Sequence, residues 1–292
     1  MASETLWNIV KTYTDSRHIL CRPLSLSACR ICLPRLLERH GLPTDGNGSV
    51  FMMAVPYLMA ETAFDTSRNV SLYAVPRDYH LFFKELSNEI LPLVQKHFPQ
   101  HHAAVFADHS PIDEVNAAAC AGLGDVGLNG LLLTPEYGNF VFIGALISDV
   151  PFDTATRGYH AAPSPSVCTR CGRCLQACPI HCRADREGCL SALTQKKGEL
   201  SSEDRQRLSD HALVWGCDIC QMVCPINERI IARDTDTPVP FFREQRTTHL
   251  TADDILKMSD EAFAERAYAW RKRDTILRNL SIKQQTKGGS PL

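Results

Sequence analysis

Two cysteine runs, each ending in proline, constrain this chain more than any other feature. The first, "VCTRCGRCLQACP", spans residues 167–179 in the order C-x2-C-x2-C-x3-C-P. The second, "GCDICQMVCP", spans residues 216–225 in the order C-x2-C-x3-C-P. Thiolates bind iron–sulfur clusters, and in two-cluster ferredoxins the fourth cysteine of a run binds the other cluster. The two runs are therefore expected to fold together around two clusters.

This crossing rule predicts the ligands of two 4Fe–4S clusters. The first is predicted to be bound by the leading triplet of one run and the last cysteine of the other: Cys168, Cys171, Cys174 and Cys224. The second takes the remaining cysteines of both runs and one that lies between them: Cys178, Cys189, Cys217 and Cys220. Zinc is the competing metal because C-x2-C pairs also build structural zinc sites. Zinc sites need neither the close triplet nor the Cys-Pro endings.

The chain has thirteen cysteines, and five fall outside these sets: Cys21, Cys29, Cys32, Cys120 and Cys182. They are interpreted as ordinary free thiols, because buried cysteine behaves as a small apolar residue. This cysteine usage fits the cytoplasm, where disulfides rarely persist. Neither a signal peptide nor an apolar run of about 18 residues is present, so no membrane partner is expected. The net charge of −2 gives no general attraction to nucleic acid.

The hydrophobic pattern predicts an α+β protein in three segments. Residues 1–155 alternate predicted helices with buried strands such as "SVFMMAVPY" and "GNFVFIGALISDV", which is typical of a layered α/β domain. Helical spacing is read throughout residues 1–48. Residues 156–232 form the ferredoxin-like module of the bacterial two-cluster type, and residues 233–292 a helical segment with a loose tail.

Several stretches outside the cysteine runs resemble the epoxyqueuosine reductase family. They are "RDYHLFFKEL", "AGLGDVGLNGLLLTPEYGNFVFIGALISDVPF" and "RDTILRNL", and the likeness covers about residues 50–280. The family, related to the reductive dehalogenases, holds a cobalamin over two 4Fe–4S clusters and reduces epoxyqueuosine in transfer RNA to queuosine. The resemblance implies a nitroreductase-like, corrinoid-binding first domain, in a short form without the family's C-terminal helical repeats.

The resemblance also implies roles for individual residues. Asp108, in "FADHSPIDE", would be the acid that protonates the leaving oxygen, although aspartate often serves as a cap or turn former. Tyr79 and His80 would line the corrinoid pocket, or would pack the start of a helix. Three glycines of "GLGDVG" would form part of the corrinoid cradle or a tight loop: Gly122, Gly124 and Gly127. A dinucleotide site is excluded here because no strand precedes this motif.

The chain lacks two cationic residues that are usual in the family. Val115 follows Glu114 where an arginine is usual, and Leu128 takes the place of a lysine. Losing them weakens contacts to phosphate. A basic group near the end offers another phosphate-contacting patch, or simply a solvated helical face: Arg266, Arg271, Lys272, Arg273, Arg278, Lys283 and Lys287.

Three functions follow from these observations. The leading one is an iron–sulfur, cobalamin-dependent reductase that acts on an epoxide or similar group of a small or nucleoside substrate. The second is epoxyqueuosine reductase itself, acting on transfer RNA. The third is a non-catalytic module that passes electrons from its clusters to a partner enzyme. All three need an external electron donor, and no residue pattern separates cobalamin from flavin in the first domain.

Overall fold

The computed structural model describes residues 5–160, 165–179 and 188–287, with the side chains described to residue 284. Its strands are β1 Leu20–Ser25, β2 Ser49–Pro56, β3 Ala103–Phe106, β4 Asp125–Val126, β5 Leu132–Leu133 and β6 Val141–Ser148. Its longer helices are α1 Leu6–Asp15, α4 Tyr79–His97, α9 Ser202–Asp210 and α14 Lys272–Lys287. Shorter ones are α2 Pro34–Arg39, α3 Ala60–Phe64, α5 Glu114–Cys120, α6 Phe152–Ala155, α7 Arg173–Ala177, α8 Leu190–Thr194, α10 Ile219–Met222, α11 Pro225–Ile231, α12 Ala252–Lys257 and α13 Asp260–Ala264.

The chain divides into two compact units, which we describe separately. Unit 1 comprises residues 1–57 and 80–171, and unit 2 comprises residues 58–79 and 172–292. The three sequence-based domains, with boundaries after residues 155 and 232, stay a prediction.

An antiparallel sheet with the strand order β1-β2-β6-β3 forms the centre of unit 1. All eight residues of β2 are buried, so both faces of the sheet must be covered. Successive side chains of a strand point to opposite faces. Val50 packs on one face in a cluster with Ala117 of α5. Phe51, its neighbour in β2, points to the other face, where its ring stacks on Trp7 of α1 at 6.2 Å. The layered arrangement predicted from sequence is confirmed.

Helix α4 packs on the sheet through a glycine. A Cβ atom added at Gly144 in β6 would lie 2.3 Å from the ring of Phe83, so only glycine allows this helix to approach so closely. The helix continues through Pro92 and ends at His97.

One sequence prediction about unit 1 is wrong. The helical spacing read over residues 1–48 correctly includes α1 and α2, but Leu20–Ser25 form strand β1. This strand pairs with β2 along its whole length, and Pro23 is tolerated because β1 lies at the sheet's edge. Tertiary pairing with a buried strand therefore outweighs the local pattern.

Unit 2 is mainly helical and is built on two apolar clusters. One contains Trp215 and Tyr268, whose rings meet edge to face at 6.1 Å, together with Val70 from the 58–79 segment. The other joins α8, α9 and α14 around Leu208 and Ile282. Within the described residues, none of the helices combines the length and the apolar character needed to cross a bilayer.

Candidate functional site

The second half of the first cysteine run approaches the second run within unit 2. Helix α7, which carries Cys174, packs against α10, which carries Cys220. The guanidinium of Arg173 in α7 also pairs with Glu228 of α11, with an Nη1–Oε2 distance of 3.1 Å. Helix α11 begins directly after Cys224, which is its N-cap residue. Sequence-distant cysteines of both runs are therefore carried by neighbouring helices.

Cys217 lies among other predicted ligands of the second cluster. Burial raises the pKa of its thiol to about 12, and the charge of Asp218 adds to the rise, followed by Cys220 and Cys189. Cys178, the fourth predicted ligand, directly follows α7. Iron binds the thiolate, and a buried thiol gives up its proton only when a bound cation replaces it. This environment suits a cluster and disfavours a bare thiolate.

Asp218 fixes the Cys217–Cys220 segment to the rest of unit 2. Its carboxylate forms a buried ion pair with Arg68, at 2.6 Å, and accepts the backbone N–H of Leu72 at 3.0 Å and the hydroxyl of Ser71. The side chains of Asp218 and Arg68 are only 3% and 9% exposed. Sequence reasoning missed this residue. A charged residue inside a C-x2-C pair must be either solvated or paired, and only the fold shows which.

We expect Asp218→Ala to destabilise unit 2 strongly. The substitution leaves Arg68 buried without its carboxylate, which typically costs about 3–5 kcal/mol. Urea unfolding of the cluster-loaded protein should show a lower midpoint, and iron should be released at lower urea. Asp253→Ala is the control, because the Asp253–Lys257 pair is exposed and should change stability by less than about 1 kcal/mol. Equal midpoints for the two variants would contradict the role given to Asp218.

The predicted ligands of the first cluster fall in both units. Cys168 and Cys171 belong to unit 1, whereas Cys174 and Cys224 belong to unit 2. In unit 1 the Cys168 backbone N–H donates to Asp125 Oδ2 at 3.3 Å. Cys182, interpreted as a spare thiol, lies outside the described residues. Across the part of the chain that is described, no three His, Cys, Asp or Glu side chains could hold a metal ion together. In a 4Fe–4S cluster each thiolate binds a different iron.

A second group of polar side chains surrounds Asp108 in unit 1. Asp108 lies in the loop after β3 with a φ of 60°, a left-handed conformation that is uncommon for residues other than glycine. His80, at the start of α4, places Nε2 3.7 Å from Asp108 Oδ2. The Asp108 side chain is 63% exposed, and that of His80 is 49% exposed. Both groups are therefore open to a bound molecule. Tyr79, the first residue of α4, is half-buried.

Glu114, the first residue of α5, is hydrogen-bonded to the backbone of Asp108. Its Oε2 accepts the Asp108 backbone N–H at 2.9 Å, which holds the loop in its left-handed conformation. Burial raises the pKa of Glu114 to about 8, and the neighbouring charge of Asp108 contributes to the rise. The sequence places Glu114 in the first turn of α5, where an acidic residue is normally solvated and stabilised by the helix dipole. Its burial comes from the packing of α5 on the sheet.

The three loop glycines are needed by the protein's own backbone. Gly122 ends α5 at a φ of 87°, and the N–H groups of Gly122 and Leu123 bond to the carbonyls of Ala119 and Ala118, as in a Schellman motif. A Cβ at Gly124 would lie 2.4 Å from the carbonyl oxygen of Leu133, and one at Gly127 would lie 2.5 Å from a side-chain oxygen. A tight loop accounts for these residues, and their contact with a corrinoid stays a prediction.

Most of the basic group near the end serves unit 2 itself. Four members donate to backbone carbonyls, namely Arg266 to Val75, Arg273 to Met258, Arg278 to Lys196 and Lys283 to Ser209, at distances of 2.7 to 2.9 Å. Cations placed on carbonyls that end helices stabilise those ends. The Lys287 side chain lies outside the described residues. The predicted patch is thus largely committed to intramolecular bonds.

Comparison with known proteins assigns the cysteine runs to a known type of domain. Residues 167–227 match the family model of a 4Fe-4S double cluster binding domain. An epoxyqueuosine reductase of Gloeobacter violaceus is 30% identical over 226 residues, which cover 75% of this chain and 69% of that protein. One from Listeria monocytogenes is 31% identical over 70% of this chain. The chain spans about half of that relative, 54% of its length.

Solved structures support the fold. The structure of an epoxyqueuosine reductase from Streptococcus thermophilus matches with a TM-score of 0.70 at 21% identity, covering 95% of this chain and 80% of that one. An epoxyqueuosine reductase with a modified tRNA-Tyr stem loop matches with a TM-score of 0.71 at 20% identity, covering 95% of this chain and 81% of that one. The predicted α+β fold with its double-cluster module is confirmed.

Proposed function

Because this chain belongs to the epoxyqueuosine reductase family, we propose that it is an iron–sulfur reductase that removes the oxygen of an epoxide with the help of cobalamin. One observation carries the proposal. A chain with a double 4Fe–4S cluster segment also exposes an acid, Asp108, beside His80 in unit 1. Reductive removal of an epoxide oxygen needs both an electron supply and a proton donor.

The residues fit these roles by their chemistry. The seven cysteines of the two runs, together with Cys189, would supply the eight thiolates for two clusters, which take up electrons from an external donor one at a time. Cobalamin, when bound, would supply a reduced centre that attacks carbon. Tyr79 and His80, at the start of α4, and the glycines of the 122–127 loop would contact it. Asp108 would donate the proton to the departing oxygen, provided that it lies within hydrogen-bond reach.

For the substrate, we propose epoxyqueuosine in transfer RNA. Family membership supports this choice, and the family likewise favours a cytoplasmic setting, where thiols stay reduced. Val115 and Leu128 stand where cations are usual, so phosphate should contribute less to binding here. A free nucleoside is therefore the alternative substrate to test alongside the RNA.

The test is a conversion assay under anaerobic conditions. Cluster-reconstituted protein is incubated with hydroxocobalamin, a low-potential reductant and an epoxyqueuosine-containing tRNA stem loop, and the nucleosides are analysed by mass spectrometry. We expect cobalamin-dependent formation of queuosine. Conversion of the free nucleoside alone would replace the RNA by the nucleoside as substrate. Protein that binds iron but takes up no cobalamin would instead act as an electron-transfer module.

A further inference from the structure

A half-buried acid at the start of α5, Glu114, is hydrogen-bonded to the loop of an exposed acid, Asp108. Glu114 Oε2 accepts the Asp108 N–H at 2.9 Å, while Glu114 Oε1 is shielded from solvent and the Ser110 hydroxyl lies near the carboxyl. The Asp108 carboxylate, in contrast, faces the exterior of unit 1 next to His80. The two carboxyls therefore differ in their access to water.

We propose that Glu114 is a positioning residue that stores a proton for Asp108, so that the two carboxyls act as a single proton-donating pair. This inference rests on the proposed function, in which Asp108 protonates the substrate. It assigns to Glu114 a role that acts through Asp108 and requires no contact with the substrate.

Electrostatics support the pairing. Two neighbouring carboxyls resist being ionised together, and the group with less water keeps the proton. Burial is the largest cause that raises the pKa of Glu114 to about 8, followed by the charge of Asp108. The Asp108 backbone N–H, the Ser110 hydroxyl and His80 lower it by smaller amounts. The pair therefore retains one proton at neutral pH, when an isolated exposed carboxyl has lost its own.

The other elements packed against α5 add little charge. Helix α5 contacts β1, β2, β4, β5 and β6, and of these only β1 and β4 carry ionic side chains. Arg22 of β1 is exposed and donates to the Cys21 carbonyl, and Asp125 of β4 accepts the Cys168 N–H. Asp108 and His80 are thus the charged groups that set the state of Glu114.

The proton balance is simple. The single proton of the pair rests on Glu114. The Glu114 O–H bond breaks as an O–H bond forms on the Asp108 carboxylate, and that bond breaks in turn as an O–H bond forms on the epoxide oxygen. Solvent then reprotonates the pair, and a second proton passed in the same way completes the water that leaves. No electrons move in these steps, since the two electrons of the reduction come from the external donor.

The first test needs no substrate and no cobalamin. The infrared band of a protonated carboxyl is followed against pH in cluster-loaded wild-type protein and in Glu114→Gln. We expect the difference between them to titrate near pH 8. Asp108→Asn should move this titration to lower pH, because a like charge is removed, whereas Asp113→Asn, on the same helix start, should leave it in place. A Glu114 carboxyl that titrates in the ordinary glutamate range overturns the proposal.

The second test is the pH profile of substrate conversion. In Glu114→Gln the amide oxygen still accepts the Asp108 N–H but no proton is stored, so the alkaline limb should move down by about one pH unit or more. Glu114→Ala loses the acceptor too, and activity should fall at every pH. A wild-type profile for Glu114→Gln overturns the proposal even if the titration agrees. The infrared titration gives its result whether or not the protein converts epoxyqueuosine. The proposal for Glu114 and the proposed function can therefore fail separately.

Discussion

A Cys217→Ser variant is expected to lose one of the two clusters and keep the other, with iron falling from about eight atoms per chain to about four. Serine oxygen is a poor substitute for the thiolate, and Cys217 lies beside the predicted ligands Cys220 and Cys189. Iron and sulfide analysis of the anaerobically reconstituted protein measures the loss. The control is Cys32→Ser, which alters an exposed thiol of unit 1 outside both sets and should leave the iron content unchanged.

Double variants test how the ligands are shared. Cys178 and Cys217 come from different runs but belong to one predicted cluster, so Cys178→Ser with Cys217→Ser should still leave about four irons. Cys217 and Cys224 come from the same run but belong to different predicted clusters, so replacing both should leave almost none. The opposite pair of results would mean that each run holds its own cluster, and the crossing rule would then not apply to this chain.

The candidate ligands could be predicted from the sequence because cluster binding depends on the order and spacing of cysteines, and their assignment to two clusters stays a prediction. The residues that hold the cysteine segments in place could not be predicted from the sequence. Asp218 is held by Arg68, which is 150 residues away, so no local pattern links them. The same limit explains β1, whose strand form depends on pairing with β2. In contrast, the end of α5 is a local feature, because a glycine that ends a helix acts within a few residues, and Gly122 lies two residues after the last residue of α5.

The two acids of unit 1 also differ in whether the sequence indicates their role. Asp108 is suggested by the resemblance, and its exposed side chain agrees with a donor role that stays a proposal. The importance of Glu114 depends on burial, and burial arises when α5 packs on β2 and β6, from distant parts of the chain. In the sequence, a glutamate in the first turn of a helix does not indicate that packing will shield it from water. Side chains whose chemistry is changed by tertiary packing are therefore the ones that a sequence pattern hides.

Asp108→Asn is expected to lower substrate conversion by about 10²- to 10⁴-fold, the usual contribution of a positioned proton donor. Asparagine has nearly the same shape, and it tolerates the left-handed conformation that Asp108 adopts. The loop should therefore keep its bond to Glu114, and cluster and cobalamin contents should equal those of the wild type. Single-turnover conversion of the tRNA stem loop by pre-reduced protein measures the chemical step without the electron donor.

Asp113→Asn is the matched control for this variant. Asp113 caps α5 by accepting the Asn116 N–H at 3.3 Å, and asparagine caps helices about as well as aspartate. The same chemical change, five residues away, should therefore leave single-turnover conversion within about twofold of the wild type. If Asp108→Asn also retained more than about a tenth of the activity, the proton would have to come from another group or from water. Asp108 would then serve only to shape the loop, and a proton stored at Glu114 would have no acceptor that passes it to the substrate.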